Sequence, residues 1–440
     1  MAFSQDSEDL TRVGPGTPMG EFMRQYWMPF AASSELNADG APVRIMLLGE
    51  KLIAFRDSSG RVGLMDHRCP HRCASLFLGR NEEDGLRCIY HGWKFDVDGN
   101  CVDMPSVPAH QDFKDKVHAK AYKTYERNGL VWAYLGPREQ APAQPQIEVM
   151  DLPESDVNIL FMQRSCNWLQ ALEGDIDTSH AGFLHSGHVD PDDLPETHPN
   201  YYTLKNRAPE FRVTDTAFGT SYGAFRLAKP GTMYWRVANF LFPFWSQAPA
   251  TSFDRNIHAR AWVPMDDTHS MMIQVFWKGA GGGGSAGAAK KDGTFVKYRS
   301  GVEYLPDTTD WYGRWRVSDN ESTDWRLDRQ SMKDGSQYSG IDNIHLQDQA
   351  VTESMGPITD HSFEHLAPSD QMIARTRRRI LRAVRAFNEQ SVTPPGVDNN
   401  DVYLTARSGY FFADVDTDWQ DAYRDQIVGA VQPAQPLRPS

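Results

Sequence analysis

The strongest constraint in this sequence is a pair of cysteine–histidine motifs in the segment CPHRCASLFLGRNEEDGLRCIYHGWKF. Cys69 and His71 have one residue between them, Cys88 and His91 have two, and sixteen residues separate the two motifs. Four of the chain's five cysteines fall within 33 residues. An odd number of cysteines, in a chain whose start lacks the pattern of a secretory leader, argues against a disulfide framework. The clustering therefore predicts a metal centre.

The donor types in the two motifs indicate the kind of centre. Structural zinc sites commonly use Cys-x-x-Cys knuckles, or keep their cysteines together and their histidines together. Here each motif contributes one thiolate and one imidazole. This favours a [2Fe–2S] cluster in which two cysteines hold one iron and two histidines hold the other, the Rieske arrangement, with zinc as the alternative. Cys73, Cys101 and Cys166 are interpreted as packed thiols.

A second group of metal-ligating residues lies in NWLQALEGDIDTSHAGFLHSGH. Asp177 and His180 share a face if this stretch is helical, and His185 converges with His180 if the helix bends or ends near Gly182. Two histidines and one carboxylate form the facial triad of non-haem Fe(II) oxygenases, which leaves one side of the metal open. We interpret His188, which breaks the spacing, as a bystander.

The carboxylate of such a triad must come from a distant segment. The best candidate is Asp348, in the helix-like stretch HLQDQAVTESMGPITDHSFEHL, which is polar on one face. Asp342, Glu353 and Asp360 are the rival carboxylates.

The order of predicted elements indicates an α+β protein of two domains. Residues 1–140 have a short helix after Thr17, several short β-like runs and a hairpin around Asp98-Gly99, so we expect an all-β domain with an N-terminal helical segment. A Pro-rich stretch, residues 137–146, marks the boundary. Residues 141–440 mix strands with helical stretches near 167–186 and 369–390, which predicts an antiparallel sheet flanked by helices.

Composition excludes several classes of function. A net charge of −13 argues against a nucleic-acid partner, and no apolar run is long enough to cross a membrane, so a cytoplasmic location is the default expectation. The basic residues of 375–385 are spaced like the solvated face of an amphipathic helix. The Gly-rich stretch 279–287 has dinucleotide-binding spacing but opens no apolar helix, so we interpret it as a loop.

Both metal motifs, in this order, resemble the oxygenase components of Rieske non-haem iron aromatic-ring oxygenases. RVGPGTPMGEFMRQYWMP, NWLQALEGDIDTSHAGFLH and QDQAVTESMGPI are similar to the phthalate dioxygenase type, whose members consist of α subunits only. The resemblance implies that Cys69, His71, Cys88 and His91 hold the cluster, and that His180, His185 and Asp348 hold a mononuclear iron. It also implies that Asp177 bridges to His91 of a neighbouring subunit in a head-to-tail homotrimer or hexamer.

The same resemblance implies a partner, a substrate and a reaction. The chain has no flavin or NAD motif of its own, so an NAD(P)H-dependent reductase or ferredoxin must supply electrons. Group members use O₂ and mostly take aromatic carboxylates, for which Arg207, Arg226 and Arg236 are candidate contacts. We expect O-demethylation of a methoxylated acid such as dehydrodivanillate, with cis-dihydroxylation of phthalate or a related benzoate as the alternative. The remaining hypotheses are an electron-transfer Rieske protein and a zinc-stabilised binding module.

Overall fold

A computed structural model describes residues 4–198, 200–280, 299 and 301–434. Two antiparallel sheets of six and four strands form the N-terminal part, and an eight-stranded antiparallel sheet with helices forms the rest. This architecture confirms the predicted α+β class. Most of the Gly-rich stretch 279–287 lies outside the described residues.

Ten short strands build the N-terminal part. They are β1 (Trp27–Ala32), β2 (Val43–Leu47), β3 (Glu50–Arg56), β4 (Val62–Asp66), β5 (Arg80–Glu82), β6 (Gly85–Arg87), β7 (Lys94–Phe95), β8 (Cys101–Asp103), β9 (Ala121–Arg127) and β10 (Leu130–Tyr134). The larger sheet has the order β1-β10-β9-β4-β3-β2, and the smaller one has the order β5-β6-β7-β8. The hairpin expected around Asp98-Gly99 joins β7 to β8.

Strand β3 shows how one sheet serves two cores. Successive side chains of a strand point to opposite faces. Leu52 and Ala54 accordingly lie in the main core, while Ile53 and Phe55 lie in a smaller core beneath the cysteine–histidine loops. All four side chains are at most 1% exposed. The six-stranded sheet is therefore a layer between the two cores.

The larger sheet organises the C-terminal part. Its strands are β11 (Val157–Arg164), β12 (Glu210–Asp215), β13 (Gly219–Lys229), β14 (Thr232–Leu241), β15 (Trp245–Gln247), β16 (His258–Pro264), β17 (Ser270–Trp277) and β18 (Gly409–Asp414). They follow the order β11-β17-β16-β15-β14-β13-β12, and β18 pairs with β14. The aromatic run Asn239 to Trp245, considered as pocket wall or core, is buried in the core.

Eight α-helices complete the described chain. They are α1 (Gln5–Thr11), α2 (Pro18–Met23), α3 (Trp168–Asp175), α4 (Tyr201–Lys205), α5 (Arg329–Asp334), α6 (Ile344–Ser354), α7 (Gln371–Gln390) and α8 (Trp419–Ala434). No helix among the described residues has the length and apolar character needed to span a membrane.

Two helix boundaries differ from the predictions, and both changes concern the site. Helix α3 ends at Asp175 instead of continuing to residue 186, and only a single 3₁₀ turn, His180–Gly182, follows it. Helix α6 ends at Ser354, although the helix-like pattern runs to Leu366. The first ending occurs where a Gly-Asp pair of low helix propensity precedes Asp177, whose side chain accepts a hydrogen bond from the Ser179 N–H.

The long helix α7 is amphipathic as predicted, but its basic face is not simply solvated. Its apolar residues Ile380 and Val384 are buried, and its Thr376 hydroxyl lies 2.7 Å from the Thr220 hydroxyl of β13. Four of its arginines form ion pairs with carboxylates of other segments. Arg377 bonds Glu173 and Glu364, Arg375 and Arg382 bond Asp215, and Arg385 bonds Asp6 and Asp9. The basic run is therefore a structural clamp, which also ties α1 to α7.

Trp311 joins the two cores, and we expect its removal to loosen the smaller one. Its side chain packs against both, with Arg44 and Lys51 of the N-terminal part above its ring. Trp311→Ala is expected to cost about 2 kcal/mol, less than for a fully buried tryptophan because the residue is only partly buried. In this variant the cluster absorbance should be lost at a lower temperature than the far-UV dichroism, whereas the two transitions of the parent are expected to coincide.

Trp325→Ala is the matched control for this prediction. Trp325 is also partly buried, but it packs only against the main core among the described contacts. Trp325→Ala should lower stability, but its transitions in cluster absorbance and in far-UV dichroism should still coincide. Coincident transitions in Trp311→Ala would contradict the bridging role.

Candidate metal centres and active site

The two cysteine–histidine loops have the same backbone conformation. In each loop, the N–H of the cysteine donates to the carbonyl of the fifth residue after it, and the carbonyl of the cysteine accepts from the N–H of the fourth residue after it. The N···O distances are 2.8–3.0 Å. The fourth residue after Cys69 is Cys73 and the fourth after Cys88 is Gly92, with φ of 60° and 78°. These are left-handed conformations that glycine adopts most readily.

The equivalence of the loops explains the one cysteine prediction that is wrong. Cys73 was expected to be packed, but it is exposed because it occupies the outer corner of the first turn, where the second loop has glycine. Cys101 and Cys166 are buried, as predicted.

The four side chains of these loops fit an iron–sulfur cluster. Cys69 and Cys88 are buried at 1% and 3% exposure, and the His71 and His91 rings lie 4.4 Å apart, centroid to centroid. Burial, with Cys88 beside it, raises the pKa of the Cys69 thiol to about 12, so a bound cation is needed to hold the thiolate. In the part of the chain that the structure describes, the buried Nδ1 atom of His91 has no hydrogen-bond partner, as expected of a ligand atom. Two converging thiols and two converging imidazoles are the donor set of a Rieske cluster.

Aromatic side chains hold the two imidazoles and form the outer surface of the loops. Trp93 stacks on His71 with ring centroids 4.3 Å apart and an interplanar angle of 11°. Tyr90 lies 3.9 Å from His91 and is 54% exposed, and its neighbour Ile89 is 59% exposed. The histidine end of the candidate cluster site therefore carries an exposed apolar tip.

The second group converges on one point. The Nε2 atoms of His180 and His185 lie 3.0 Å apart, and Asp348 Oδ1 lies 3.2 Å from His185 Nε2 and 3.7 Å from His180 Nε2. His180 and His185 come from the loop after α3, while Asp348 projects from the middle of α6. Two imidazoles and one carboxylate within ligand distance are able to hold a divalent iron on one face.

The rival carboxylates lie elsewhere. Asp342 is exposed and pairs with Arg299. Glu353 accepts from the Ser165 N–H and from Gln349, and Asp360 caps the turn at Ser362 on the surface. The helix α6 presents only Asp348 to the two histidines among the described carboxylates.

Each histidine of this group is oriented from its other ring nitrogen. His180 Nδ1 lies 3.4 Å from Asp177 Oδ2, and His185 Nδ1 lies 2.7 Å from Gln347 Oε1. Both contacts place the proton on Nδ1 and leave the Nε2 lone pairs directed at Asp348. Outer partners of this kind are typical of metal-bound histidines.

Electrostatics favour an ionised Asp348. Burial alone would raise the pKa of Asp348, but His185, His180 and Arg260 hold it well below its usual range. The pKa of Asp177 is also lowered, because the hydrogen bond and charge of His180 outweigh its burial. The site therefore offers anionic oxygen and imidazole nitrogen, the donors that ferrous iron prefers.

A cavity of about 140 Å³ opens beside these ligands. Arg236 and Arg260 line it, and Arg260 is neutralised by an ion pair with Asp175. His198 also lines it, and its Nδ1 accepts from the Asn200 N–H, so in the neutral form its Nε2–H is a donor. The polar side of this cavity is rich in donors.

The three predicted substrate arginines have different positions. Arg236 lines the cavity and donates to Thr178 Oγ1 and Pro249 O. Arg226 is 2% exposed and lies on the same face of the sheet, but not on the cavity wall. Arg207 lies against Gly182 and the ring of Phe183, bracing the histidine loop from outside.

A second cavity, of about 160 Å³, reaches the same ligands from the other side. Asp177, His180 and Asp348 border both cavities. The rim of the second one is apolar and exposed, with Val351 at 40% and Met355 at 47% exposure. Asp177 is thus reachable from a surface depression that is separate from the first cavity.

Sequence reasoning missed four residues of the site. Gln347 orients His185, Asp175 and Arg260 form a buried pair in the cavity wall, and His198 adds a donor. Arg260 gave a weak signal, as a charge inside the otherwise apolar strand HARAWVP. No local pattern distinguishes Gln347 from any other polar helix residue.

Comparisons with known proteins agree with this geometry. The model of the Rieske [2Fe-2S] domain matches residues 26–123, and the model described as LigXa C-terminal domain like matches residues 133–428. The crystal structure of dicamba monooxygenase bound to dicamba has a similar fold, with a TM-score of 0.54, 16% identity and coverage of 84% of this chain and 99% of that chain.

Three curated relatives cover most of the chain. The 3-chlorobenzoate-3,4-dioxygenase oxygenase subunit of Comamonas testosteroni is 51% identical over 98% of this chain and 100% of its own length. The phthalate 4,5-dioxygenase oxygenase subunit of Pseudomonas putida is 37% identical over 97% and 95%. The 5,5'-dehydrodivanillate O-demethylase oxygenase subunit of a Sphingobium species is 32% identical over 87% and 80%.

Proposed function

The chain belongs to the Rieske non-haem iron aromatic-ring oxygenases, and from this premise we propose that it oxidises a benzoate-type aromatic carboxylate. It is the terminal oxygenase of a multicomponent system that includes a reductase or ferredoxin. When bound, the [2Fe–2S] cluster relays single electrons and the mononuclear iron activates O₂. Cys69, His71, Cys88 and His91 would hold the cluster, and His180, His185 and Asp348 would hold the iron.

Arg236, a buried arginine of the cavity wall without a carboxylate partner among the described residues, supports an anionic substrate. Arg236 is 7% exposed, donates only to neutral oxygens, and takes part in no ion pair among the described residues. Arg226, which lies off the cavity wall, adds positive charge nearby. Burial, reinforced by Arg236, lowers the pKa of Arg226 to about 10, and its two terminal nitrogens have no hydrogen-bond partner among the described residues. Leaving buried charge unpaired is costly, so a ligand that neutralises it is favoured. A substrate carboxylate on Arg236, with the ring toward Asp348, satisfies this requirement.

The relatives favour ring dihydroxylation over demethylation. The 3-chlorobenzoate dioxygenase subunit is considerably more similar to this chain than the dehydrodivanillate O-demethylase subunit, at 51% against 32% identity. We therefore propose cis-dihydroxylation of a substituted benzoate, in which O₂, two electrons and two protons add two hydroxyl groups to the ring. O-demethylation, our prediction from resemblance, is the second candidate. It would oxidise a methoxyl carbon, release formaldehyde and reduce the other oxygen atom to water.

A substrate panel tests this proposal directly. The purified chain with both iron centres, a reductase and NADH would be incubated with 3-chlorobenzoate, phthalate, vanillate and dehydrodivanillate. We expect a cis-diol from a benzoate, with O₂ and NADH consumed in equal amounts. Formaldehyde from vanillate or dehydrodivanillate, with no diol from any benzoate, would establish the second candidate instead. NADH oxidation that no aromatic acid stimulates would contradict both.

We also propose that copies of the chain assemble head to tail into a trimeric ring. The exposed tip of Ile89 and Tyr90 beside His91 and the apolar depression beside Asp177 are separate surfaces of one chain. A contact between two different surfaces is heterologous and closes into a ring when the rotation permits. In this assembly Asp177 of one subunit accepts from His91 of the next.

Replacing Arg236 with methionine is expected to lower kcat/KM for the carboxylate substrate by about 100-fold, because a buried cation and its partner anion are separated. The effect should lie mainly in KM. For the uncharged primary amide of the same substrate, kcat/KM should fall little in Arg236→Met, since the amide does not pair with a cation. Steady-state kinetics with both compounds measure the difference.

Arg212→Met is the matched control, since Arg212 is an exposed arginine of the same sheet, on β12, and does not line the cavity. It should leave both substrates unaffected. An equal loss for carboxylate and amide in Arg236→Met would show that Arg236 supports the fold and not the substrate.

A further inference from the structure

Gln347 is a fully buried amide next to the candidate iron site. It lies on α6 directly before Asp348 and is 0% exposed. Its Oε1 is 2.7 Å from His185 Nδ1, and its Nε2 donates to Ile341 O at 2.6 Å and to Ser339 Oγ at 2.8 Å. The amide therefore makes three polar contacts, one through its oxygen and two through its nitrogen, and all are to described residues.

These contacts determine which end of the amide faces His185. A carbonyl oxygen such as Ile341 O can only accept, so the nitrogen of the amide must point toward it. The oxygen then faces His185, and because Oε1 only accepts, His185 must carry its proton on Nδ1. The Nε2 lone pair of His185 is thus left free on the side of Asp348.

The two histidines of the triad have chemically different outer partners. His180 faces the carboxylate of Asp177, whereas His185 faces a neutral amide at a shorter distance, 2.7 Å against 3.4 Å. Consecutive residues of α6 serve two functions, since Asp348 is a ligand candidate and Gln347 fixes the opposing histidine. One helix turn therefore determines the relative position of two of the three ligands.

Resting on the proposed iron site, we infer that Gln347 is a positioning residue that fixes the tautomer and ring orientation of His185 for metal binding. It touches neither substrate nor reacting atoms. Loss of such an outer partner typically weakens metal affinity by 10–100-fold. The effect should appear in metal binding itself, before any turnover.

The test is Fe(II) affinity, measured on protein with an intact cluster and an emptied mononuclear site, by competition with a ferrous chelator. Gln347→Met keeps the length of the side chain but removes the acceptor, and we expect the dissociation constant to rise about 10–100-fold. EPR of the nitric oxide complex of the bound Fe(II) should change in rhombicity. Gln347→Glu can reproduce both contacts only with a neutral carboxyl, which accepts from His185 and donates its O–H to Ile341 O, so any affinity that it restores should increase as the pH is lowered.

Gln349→Met is the matched control. Gln349 is also a buried glutamine of α6, at 2% exposure, but it bonds Gln163 O and Glu353 instead of a histidine. It should bind Fe(II) like the parent. Unchanged affinity and spectrum in Gln347→Met, or an equal loss in Gln349→Met, would each overturn the inference.

The same assay separates this inference from the proposed function. Asp348→Ala removes a ligand candidate and should lose Fe(II) far more severely than Gln347→Met. If the parent binds Fe(II) no better than Asp348→Ala, the iron site itself is misplaced. If the parent binds Fe(II) better than Asp348→Ala and Gln347→Met binds it like the parent, the iron site is supported and the proposed role of Gln347 is wrong.

Discussion

Asp177→Asn is expected to lower turnover by about 100-fold while leaving both metal contents unchanged. The substitution preserves size and removes the negative charge beside His180, whose Nδ1 lies 3.4 Å from Asp177 Oδ2. Because the amide oxygen of asparagine can still accept from His180 Nδ1, and the three converging ligand atoms are untouched, iron should still bind. Because Cys69, His71, Cys88 and His91 lie elsewhere, the cluster should still be reduced by dithionite. What is lost is the anionic acceptor that borders both the candidate iron site and the surface depression.

Three measurements separate this effect from simple damage. Iron and sulfide analysis should match the parent, and EPR of the reduced cluster should be unchanged. In a single turnover, reoxidation of the cluster in the presence of substrate and O₂ should slow by the same factor as steady-state turnover. Asp360→Asn is the control, since Asp360 is an exposed aspartate that caps a surface turn, and it should be fully active. Full activity in Asp177→Asn would show that Asp177 does not bridge the iron site to the cluster of the next subunit.

The cluster loops were predictable because all their determinants are local. The spacing of Cys69, His71, Cys88 and His91 is readable within 23 residues, and each loop is closed by its own backbone hydrogen bonds. Four ligand candidates could therefore be placed without knowledge of the rest of the fold. The turn that exposes Cys73 was missed, because its φ depends on this backbone geometry and not on residue type.

The triad was only partly predictable. His180 and His185 are near neighbours in sequence, but their convergence depends on where α3 ends, and helix pattern alone placed that ending about ten residues too late. Asp348 is more than 160 positions further along the chain, and four carboxylates were candidates. Only the packing of α6 against the histidine loop brings Asp348 to them, together with Gln347.

The substrate-binding residues were the least predictable part of the site, because the role of an arginine depends on its burial and its partners. Arg207, Arg226 and Arg236 are equivalent in sequence, yet Arg207 braces a loop, Arg226 is buried away from the cavity wall and Arg236 lines the cavity. Arg260 also lines the cavity, but Asp175 neutralises it. A binding cation is distinguished by the absence of an internal partner, which no local pattern reveals.

Hybrid rings should regain activity that neither parent variant has. His91→Ala removes a proposed cluster ligand and Asp348→Ala removes a proposed iron ligand, so each pure variant is expected to be inactive. In a head-to-tail trimer containing both chains, exactly one junction pairs an intact cluster with an intact iron site of the next subunit. Such hybrids should show about a third of the parent activity, since one of three junctions is productive.

The decisive comparison uses co-expressed chains with two different tags, purified on both, so that every assembly contains both variants. A hybrid of two parent chains measures full activity, and size-exclusion chromatography checks that assembly is unchanged. Cys88→Ser would replace His91→Ala if the latter fails to assemble. If electrons passed within one chain, every chain of the hybrid would still lack one centre and activity would stay absent. Electron transfer within one chain thus predicts no activity, and transfer between chains predicts about a third of the parent activity. The result therefore decides whether His91 and Asp177 act across a subunit boundary.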